Sequence, residues 1–132
     1  MASPEAARAL LAKARQDEYV LQRFLTDTAA ADEIFGFHAQ QAVEKLLKAA
    51  LACRGIAYPR THRLAQLLDL ARDHGVVVPT EFEDTRMLTP FAVEYRYEFF
   101  AEETERPLER DAIHNQVVRL RLWVETLFAA EG

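Results

Sequence analysis

Cysteine and long apolar runs are scarce in this sequence of 132 residues. Its one cysteine, Cys53, excludes a disulfide within the chain and a cysteine-based metal cluster. No apolar run approaches the ~20 residues that a membrane-spanning helix requires. The N-terminus also lacks the uninterrupted apolar stretch of a signal peptide. These absences predict a cytoplasmic protein without a membrane segment.

Glycine and positive charge are in short supply as well. Four glycines, together with abundant Ala, Leu, Glu and Arg, favour helices. The 16 Lys and Arg residues face 21 Asp and Glu residues, which gives a formal net charge of -5. The surface as a whole therefore does not favour nucleic acid, and a site for a polyanion needs a local basic patch. The length predicts one domain over residues 1–132.

The strongest helical pattern runs from Ala31 to Gly55. At 100° per residue, apolar side chains fill an arc of roughly 200°, about twice the width that a surface helix buries. This arc holds Phe35, Ala39, Ala42, Val43, Leu46, Leu47, Ala49, Ala50, Leu51 and Cys53. The remaining arc carries His38, Gln41, Glu44, Lys45 and Lys48. All of these except Glu44 have a spacing that places them along one line. The pattern predicts a helix that others surround, with one polar edge left open.

Shorter patterns predict further helices around this one. Ser3 caps a first helix that reaches about Asp27, and Thr61 caps a helix over residues 62–74. Gly55 is predicted to end the second helix in the position where a left-handed residue is favoured, and Gly75 to end the third. The three valines after Gly75 form a packed loop rather than a strand, since no partner run exists.

A capping box and a proline bound the fourth predicted helix. Thr80 and Glu83 match the box that opens it, and Pro90 must kink or end it. Thr104 is a candidate cap for a last helix that reaches about Ala129. The apolar arc of that helix holds Ala112, Ile113, Val117, Leu120, Trp123, Val124, Leu127 and Phe128.

Two acids of the first helix, Asp17 and Glu18, fall within or beside its apolar stripe. Acids are seldom fully buried, so the commoner arrangement leaves both at the margin, in contact with solvent. The alternative is that Asp17 faces His38 and Lys45. For His62, we expect a ring that satisfies loop carbonyl groups rather than one that binds a metal.

Three segments of this sequence resemble the HEPN domain family. They are Phe37-His38-Ala39-Gln40-Gln41-Ala42-Val43-Glu44-Lys45-Leu46-Leu47-Lys48-Ala49, Thr61-His62-Arg63-Leu64 and Arg96-Tyr97. The likeness extends from Asp17 to the last helix. It implies an all-α, up-and-down bundle of four main helices with a short additional helix, usually as a homodimer.

The resemblance also implies candidate functions. Small HEPN proteins often accompany a separately encoded minimal nucleotidyltransferase in a toxin–antitoxin pair, and nucleotide binding has been proposed for the family. Other members are metal-independent ribonucleases that use Arg, four to six further residues, and then His. In this chain Arg96 has no such His, and only three residues separate Arg110 from His114. The resemblance therefore leaves open whether the protein is an enzyme.

The preferred hypothesis is a module that binds a nucleotide or an RNA phosphate, without cofactor or metal. Ammonium, guanidinium and imidazole groups are suited to phosphate, and an aromatic ring can stack on a base. The candidate ligand-binding residues are Asp17, His38, Gln41, Lys45, Arg96 and Tyr97.

Two other hypotheses stay open. One is a metal-independent endoribonuclease toxin in which Arg110 and His114, on one face of the last helix, form a non-standard site. The other is a non-catalytic, dimeric interaction protein. In that case the polar line is a seam between helices or subunits, and Asp17 neutralises Lys45.

Overall fold

The computed structural model describes residues 3–92 and 108–131. Within these ranges the chain forms five helices and no strand, which confirms the all-α prediction. They are α1 (Pro4–Arg23), α2 (Asp32–Cys53), α3 (Leu64–Asp73), a 3₁₀ helix (Thr80–Phe91) and α4 (Arg110–Glu131). None of the helices in these ranges combines the length and the apolar character needed to cross a membrane.

Helix α2 lies at the centre and contacts each of the other four helices. Thirteen of its 22 residues are buried, as the wide apolar arc predicted. Cys53 is the one member of that arc left half-buried. Gly36 allows a close approach on one side, because a Cβ atom there would lie 2.3 Å from the Phe91 ring of the 3₁₀ helix.

Helix α1 begins as predicted but ends at Arg23, four residues before the expected Asp27. The Ser3 hydroxyl caps it by accepting a hydrogen bond from the backbone of Ala6 at 3.0 Å. After the helix, an Asp27 carboxylate oxygen accepts from the backbone N–H of Ala29 at 3.0 Å. This local bond gives the backbone an alternative to continuing the helix. It belongs to the turn that leads into α2.

Both predicted glycine stops are confirmed. Gly55 has a φ of 73° and Gly75 a φ of 83°, values that glycine adopts without steric penalty. The N–H of Ile56 donates to the carbonyl of Leu51, and that of Val76 to Ala71, each at 2.9 Å. These bonds satisfy carbonyl groups that the helix ends leave unpaired. The three valines after Gly75 form a loop, as expected.

The prediction that Thr61 caps α3 is wrong. Helix α3 begins at Leu64, and the Thr61 hydroxyl accepts from the backbone of Arg63, outside the helix. The Leu64 N–H donates instead to the hydroxyl of Thr89, 25 residues later, at 3.2 Å. A residue distant in sequence therefore supplies the cap, which local pattern alone does not reveal.

The fourth helix is a 3₁₀ helix, and the predicted capping box does not form. Pro79 occupies the N-cap position of this helix, and no side chain caps it. The Glu83 carboxylate instead accepts hydrogen bonds from Arg72 and Arg86. The buried side chains lie three residues apart, at Phe82, Thr85, Leu88 and Phe91. A helix with three residues per turn aligns this spacing on one face. Pro90 lies in its last turn, in keeping with the predicted end.

The core side of α4 agrees with its predicted apolar arc, except that Ala112 is exposed. Val117, Leu120, Val124 and Leu127 are buried. An ion pair joins this helix to α1, because the Arg121 guanidinium donates to the Glu18 carboxylate at 2.7 Å. This pair with Glu18 raises the pKa of Arg121 further above its ordinary value. The predicted cap Thr104 lies outside the described residues.

Candidate functional site

Asp17 of α1 holds two side chains of α2 together. One carboxylate oxygen accepts from Nδ1 of His38 at 3.0 Å, and the other accepts from Nζ of Lys45 at 2.6 Å. Asp17 is buried, with 7% of its surface exposed. The expectation that it reaches solvent at the margin is therefore wrong, and the alternative, in which it faces His38 and Lys45, is correct.

The two bonds to Asp17 determine which atoms of His38 and Lys45 face away from Asp17. A carboxylate only accepts, so Nδ1 of His38 carries a hydrogen and Nε2 lies on the opposite edge of the ring. The Lys45 ammonium donates one hydrogen to Asp17 and retains two others. The side chains of His38 and Lys45 are 28% and 23% exposed. Both side chains are therefore oriented by a buried carboxylate and still reachable from solvent.

A second buried carboxylate, Glu44, directly precedes Lys45 on α2. It accepts from Nζ of Lys48 at 2.8 Å, from Nδ1 of His62 at 2.8 Å and from the amide of Gln40 at 3.0 Å. The structure differs from the expectation that the His62 ring satisfies loop carbonyl groups, since its Nδ1 atom bonds the Glu44 carboxylate. The pattern also placed Glu44 on the open arc, whereas it is 6% exposed.

Burial is the largest single influence on Glu44 and by itself would raise its pKa. The hydrogen bonds from Lys48, His62 and Gln40, with the charge of Lys48, outweigh that influence and lower the pKa. Glu44 is therefore held ionised in the interior.

Two glutamines connect the polar groups along α2. The amide of Gln41 donates to the side-chain oxygen of Gln40 at 2.8 Å, and the Gln40 amide also donates to the backbone carbonyl of His62 at 3.1 Å. Gln40 is fully buried, and sequence reasoning missed it. Its position among apolar residues of the wide arc was the available signal. The predicted line of four polar residues thus divides, with Lys45 held by Asp17 and Lys48 by Glu44.

The comparison with protein families agrees with this architecture. A family model described as the HEPN domain matches residues 7–126. The chain belongs to the HEPN domain family. Neither a curated protein nor a solved structure gave a match to the chain. Asp17, His38, Lys45 and the Glu44 network all lie inside the matched range of this HEPN domain.

The candidate pair Arg110 and His114 of the HEPN domain stands apart from these clusters. The Arg110 guanidinium donates five hydrogen bonds: to the carbonyl oxygens of Phe24, Asp27 and Ala30 and twice to the Asp32 carboxylate, over distances of 2.6 to 3.2 Å. These bonds engage all of its N–H groups. Arg110 therefore secures the turn between α1 and α2, and the geometry gives it no donor for a substrate.

Two further candidates, Arg96 and Tyr97, lie outside the described residues. The described residues on either side of that segment both reach the N-terminal half of α2. The ring of Phe91 covers Gly36, and the N–H of Leu108 donates to the Asp32 carboxylate at 3.1 Å.

A cavity of about 500 Å³ also lies at this end of the molecule, lined by residues that include Leu25, Thr28, Asp32 and Arg110. Its lining does not include Asp17, His38 or Lys45, so it is separate from the Asp17 cluster. Among residues 3–92 and 108–131, no group of three or more His, Cys, Asp or Glu side chains is placed to hold a metal ion.

Proposed function

We propose that this HEPN domain binds a nucleotide or an RNA phosphate at His38 and Lys45. The observation that carries the proposal is their convergence on Asp17, at 3.0 and 2.6 Å, on the open edge of α2. Asp17 restricts both side chains before a ligand arrives, so less conformational entropy is lost on binding. A phosphate then accepts from the remaining Lys45 hydrogens and, when the His38 ring is protonated, from its Nε2–H group. Gln41 lies between Lys45 and His38 in sequence and adds an amide to the same edge.

Family membership supports the choice of partners in this proposal. We infer a homodimer that acts with a separately encoded minimal nucleotidyltransferase, as in the toxin–antitoxin pairs of the family. Arg96 and Tyr97 belong to the same proposal, as a planar cation for phosphate and a ring for a base. Co-expression with such a nucleotidyltransferase, followed by co-purification, tests the partnership.

A binding assay with a matched charge change tests the phosphate site. We expect Lys45→Gln to weaken the binding of ATP and of a labelled RNA oligonucleotide by about tenfold or more, because a charge-assisted hydrogen bond is lost. Isothermal titration measures ATP, and fluorescence anisotropy measures RNA. Lys13→Gln removes the same charge from an exposed position of α1 and should leave both affinities unchanged.

Equal affinities in the wild type, Lys45→Gln and Lys13→Gln would exclude this site. The thermal midpoint of Lys45→Gln must accompany the binding data, because Asp17 loses a partner in this variant.

A non-catalytic interaction protein is the second candidate, and the Asp17–Lys45 ion pair favours it. That pair already neutralises both charges between α1 and α2, as a structural seam would. If Lys45→Gln lowers the stability or dissociates a dimer while the wild type binds neither ATP nor RNA, this candidate stands. Metal-free RNA cleavage that is lost in His114→Ala would support the ribonuclease hypothesis instead.

A further inference from the structure

Two adjacent glutamines of α2, Gln40 and Gln41, have side-chain amides whose orientation the neighbouring groups fix. The Gln40 amide lies 3.0 Å from the Glu44 carboxylate and 3.1 Å from the backbone carbonyl of His62. The carboxylate is ionised, because its pKa is lowered, so both of these groups can only accept a hydrogen bond. The Gln40 atom that faces them is therefore the nitrogen, and its oxygen is left to face Gln41.

The orientation of Gln40 determines that of Gln41. The Gln40 oxygen lies 2.8 Å from the Gln41 amide. An oxygen of this kind only accepts, so the Gln41 atom that faces it is Nε2, and Oε1 lies on the other branch of the Gln41 amide. No hydrogen bond to this Oε1 atom comes from the described part of the chain. Gln41 is half-buried, so its amide is still reachable from solvent.

The Gln41 oxygen is an unsuitable partner for the phosphate itself. Gln41 lies three residues after His38 and four before Lys45, so the three side chains are neighbours on the surface of α2. The Lys45 ammonium leans toward α1, where it bonds Asp17, whereas the Gln41 amide turns toward Gln40. Phosphate oxygens are acceptors, and another acceptor repels them. The part of the ligand that fits beside Gln41 must therefore carry a donor.

We propose that Gln41 accepts a hydrogen bond from a ribose hydroxyl of the bound nucleotide, and that Gln40 positions the Gln41 oxygen for this contact. The inference rests on the proposed function, because the phosphate site at His38 and Lys45 brings the ligand to this edge. A hydroxyl both donates and accepts, which matches an amide that offers an oxygen and one remaining N–H group. The site therefore distinguishes a nucleotide with ribose hydroxyls from one without them.

Gln40 itself does not meet the ligand, because its side chain is fully buried. Its two N–H groups donate to Glu44 and His62, and its oxygen accepts from Gln41. Without the Gln40 oxygen, the Gln41 amide can turn over and present its nitrogen to the ligand instead. Gln40 therefore acts on the preference between ligands, through Gln41, and leaves the contacts to phosphate in place.

ATP and 2′,3′-dideoxy-ATP test the hydroxyl contact, because they differ only in the two ribose hydroxyls. Isothermal titration measures both affinities in the wild type, in Gln41→Met, in Gln40→Met and in the double variant. Methionine is unbranched like glutamine and lacks the amide. Gln22→Met, at an exposed position of α1, is the matched control.

We expect the wild type and Gln22→Met to bind ATP roughly three- to tenfold more tightly than the dideoxy analogue, as one hydrogen bond allows. Gln41→Met should abolish this preference, and Gln40→Met should reduce it. Adding Gln40→Met to Gln41→Met should change the preference no further, because the two residues act as one unit. A Gln40 with a merely structural role would instead change both affinities together and leave their ratio as in the wild type.

The two proposals fail in different ways. Equal binding of the two nucleotides by the wild type, or an undiminished preference in Gln41→Met, overturns the hydroxyl contact. Gln41 is half-buried, so this variant decides the matter even if Gln40→Met is unstable. The phosphate site survives that result if Lys45→Gln weakens both nucleotides. If Lys45→Gln binds both as its control does, or if the wild type binds neither, the proposed function is overturned as well.

Discussion

Asp17 and Glu44 are acids that the interior tolerates because each is bonded to a lysine and a histidine. An ionised carboxylate without partners is very unfavourable inside a protein. Composition and periodicity identified Asp17 as a residue within or beside a buried stripe, but its partners are 21 and 28 residues away. Which acids are buried therefore depends on how α1 packs against α2, and a single helical pattern does not contain that information.

The lowered pKa of Glu44 predicts a stability contribution that depends on pH. A carboxyl group whose pKa is lower in the folded state stabilises it above the ordinary value of 4.5. The contribution disappears as pH falls below that value and through the folded pKa. We expect Glu44→Gln to reduce the free energy of unfolding by roughly 3 kcal/mol at neutral pH. This difference from wild type should shrink as pH falls through the acidic range.

Urea denaturation of both proteins across neutral and acidic pH measures the difference. Asp84→Asn, at an exposed position, is the control and should give a small difference without this trend. A Glu44→Gln difference that stays constant from neutral to acidic pH would contradict the prediction.

At the scale of elements, apolar periodicity and glycine stops were sufficient to predict α1, α2, α3 and α4 to within a few residues. Caps made across the fold were not predictable, as the bond from the Leu64 N–H to Thr89 illustrates. The 3₁₀ geometry was also missed, although its three-residue spacing of buried side chains is visible in the sequence. Whether this segment forms a 3₁₀ helix or an α-helix depends on how its buried face packs against α2 and α3.

The close approach of α2 and the 3₁₀ helix makes Gly36 sensitive to any side chain. A Cβ atom at this position would lie 2.3 Å from the Phe91 ring, so the ring or one of the two helices must move. We expect Gly36→Ala to lower the free energy of unfolding by roughly 1 to 3 kcal/mol, although alanine favours helices. Chemical denaturation measures the change.

Phe91→Leu replaces the ring with a smaller side chain and provides the background in which Gly36→Ala is tested again. In this background Gly36→Ala should be less destabilising, because the ring that it meets is gone. Additive effects of the two substitutions would show that the destabilisation has another origin.

At the scale of the whole molecule, α2 makes each of the other helices part of one packed core. Its buried residues join those of α1, α3, the 3₁₀ helix and α4 in one cluster. Each of the other elements therefore depends on α2 for a large share of its packing, so partial unfolding is disfavoured. This arrangement favours one cooperative transition.

Two optical probes test this cooperativity. Trp123, the one tryptophan of the chain, lies 6.3 Å from Phe82 between ring centres and reports on α4 and the 3₁₀ helix. Far-ultraviolet circular dichroism reports on all helices. We expect the two probes to give coincident urea transitions. Leu47→Ala should lower the free energy of unfolding by the same amount with both probes, roughly 2 to 5 kcal/mol. Separate midpoints for the two probes would show that α2 does not couple the molecule.

The five hydrogen bonds of Arg110 also bear on the order in which a nascent chain matures. Three of them reach backbone carbonyl groups that lie 80 to 86 residues earlier. While the ribosome is still making the middle of the protein, those oxygen atoms lack the Arg110 guanidinium. The turn between α1 and α2 therefore acquires its full set of hydrogen bonds only after Arg110 has left the exit tunnel.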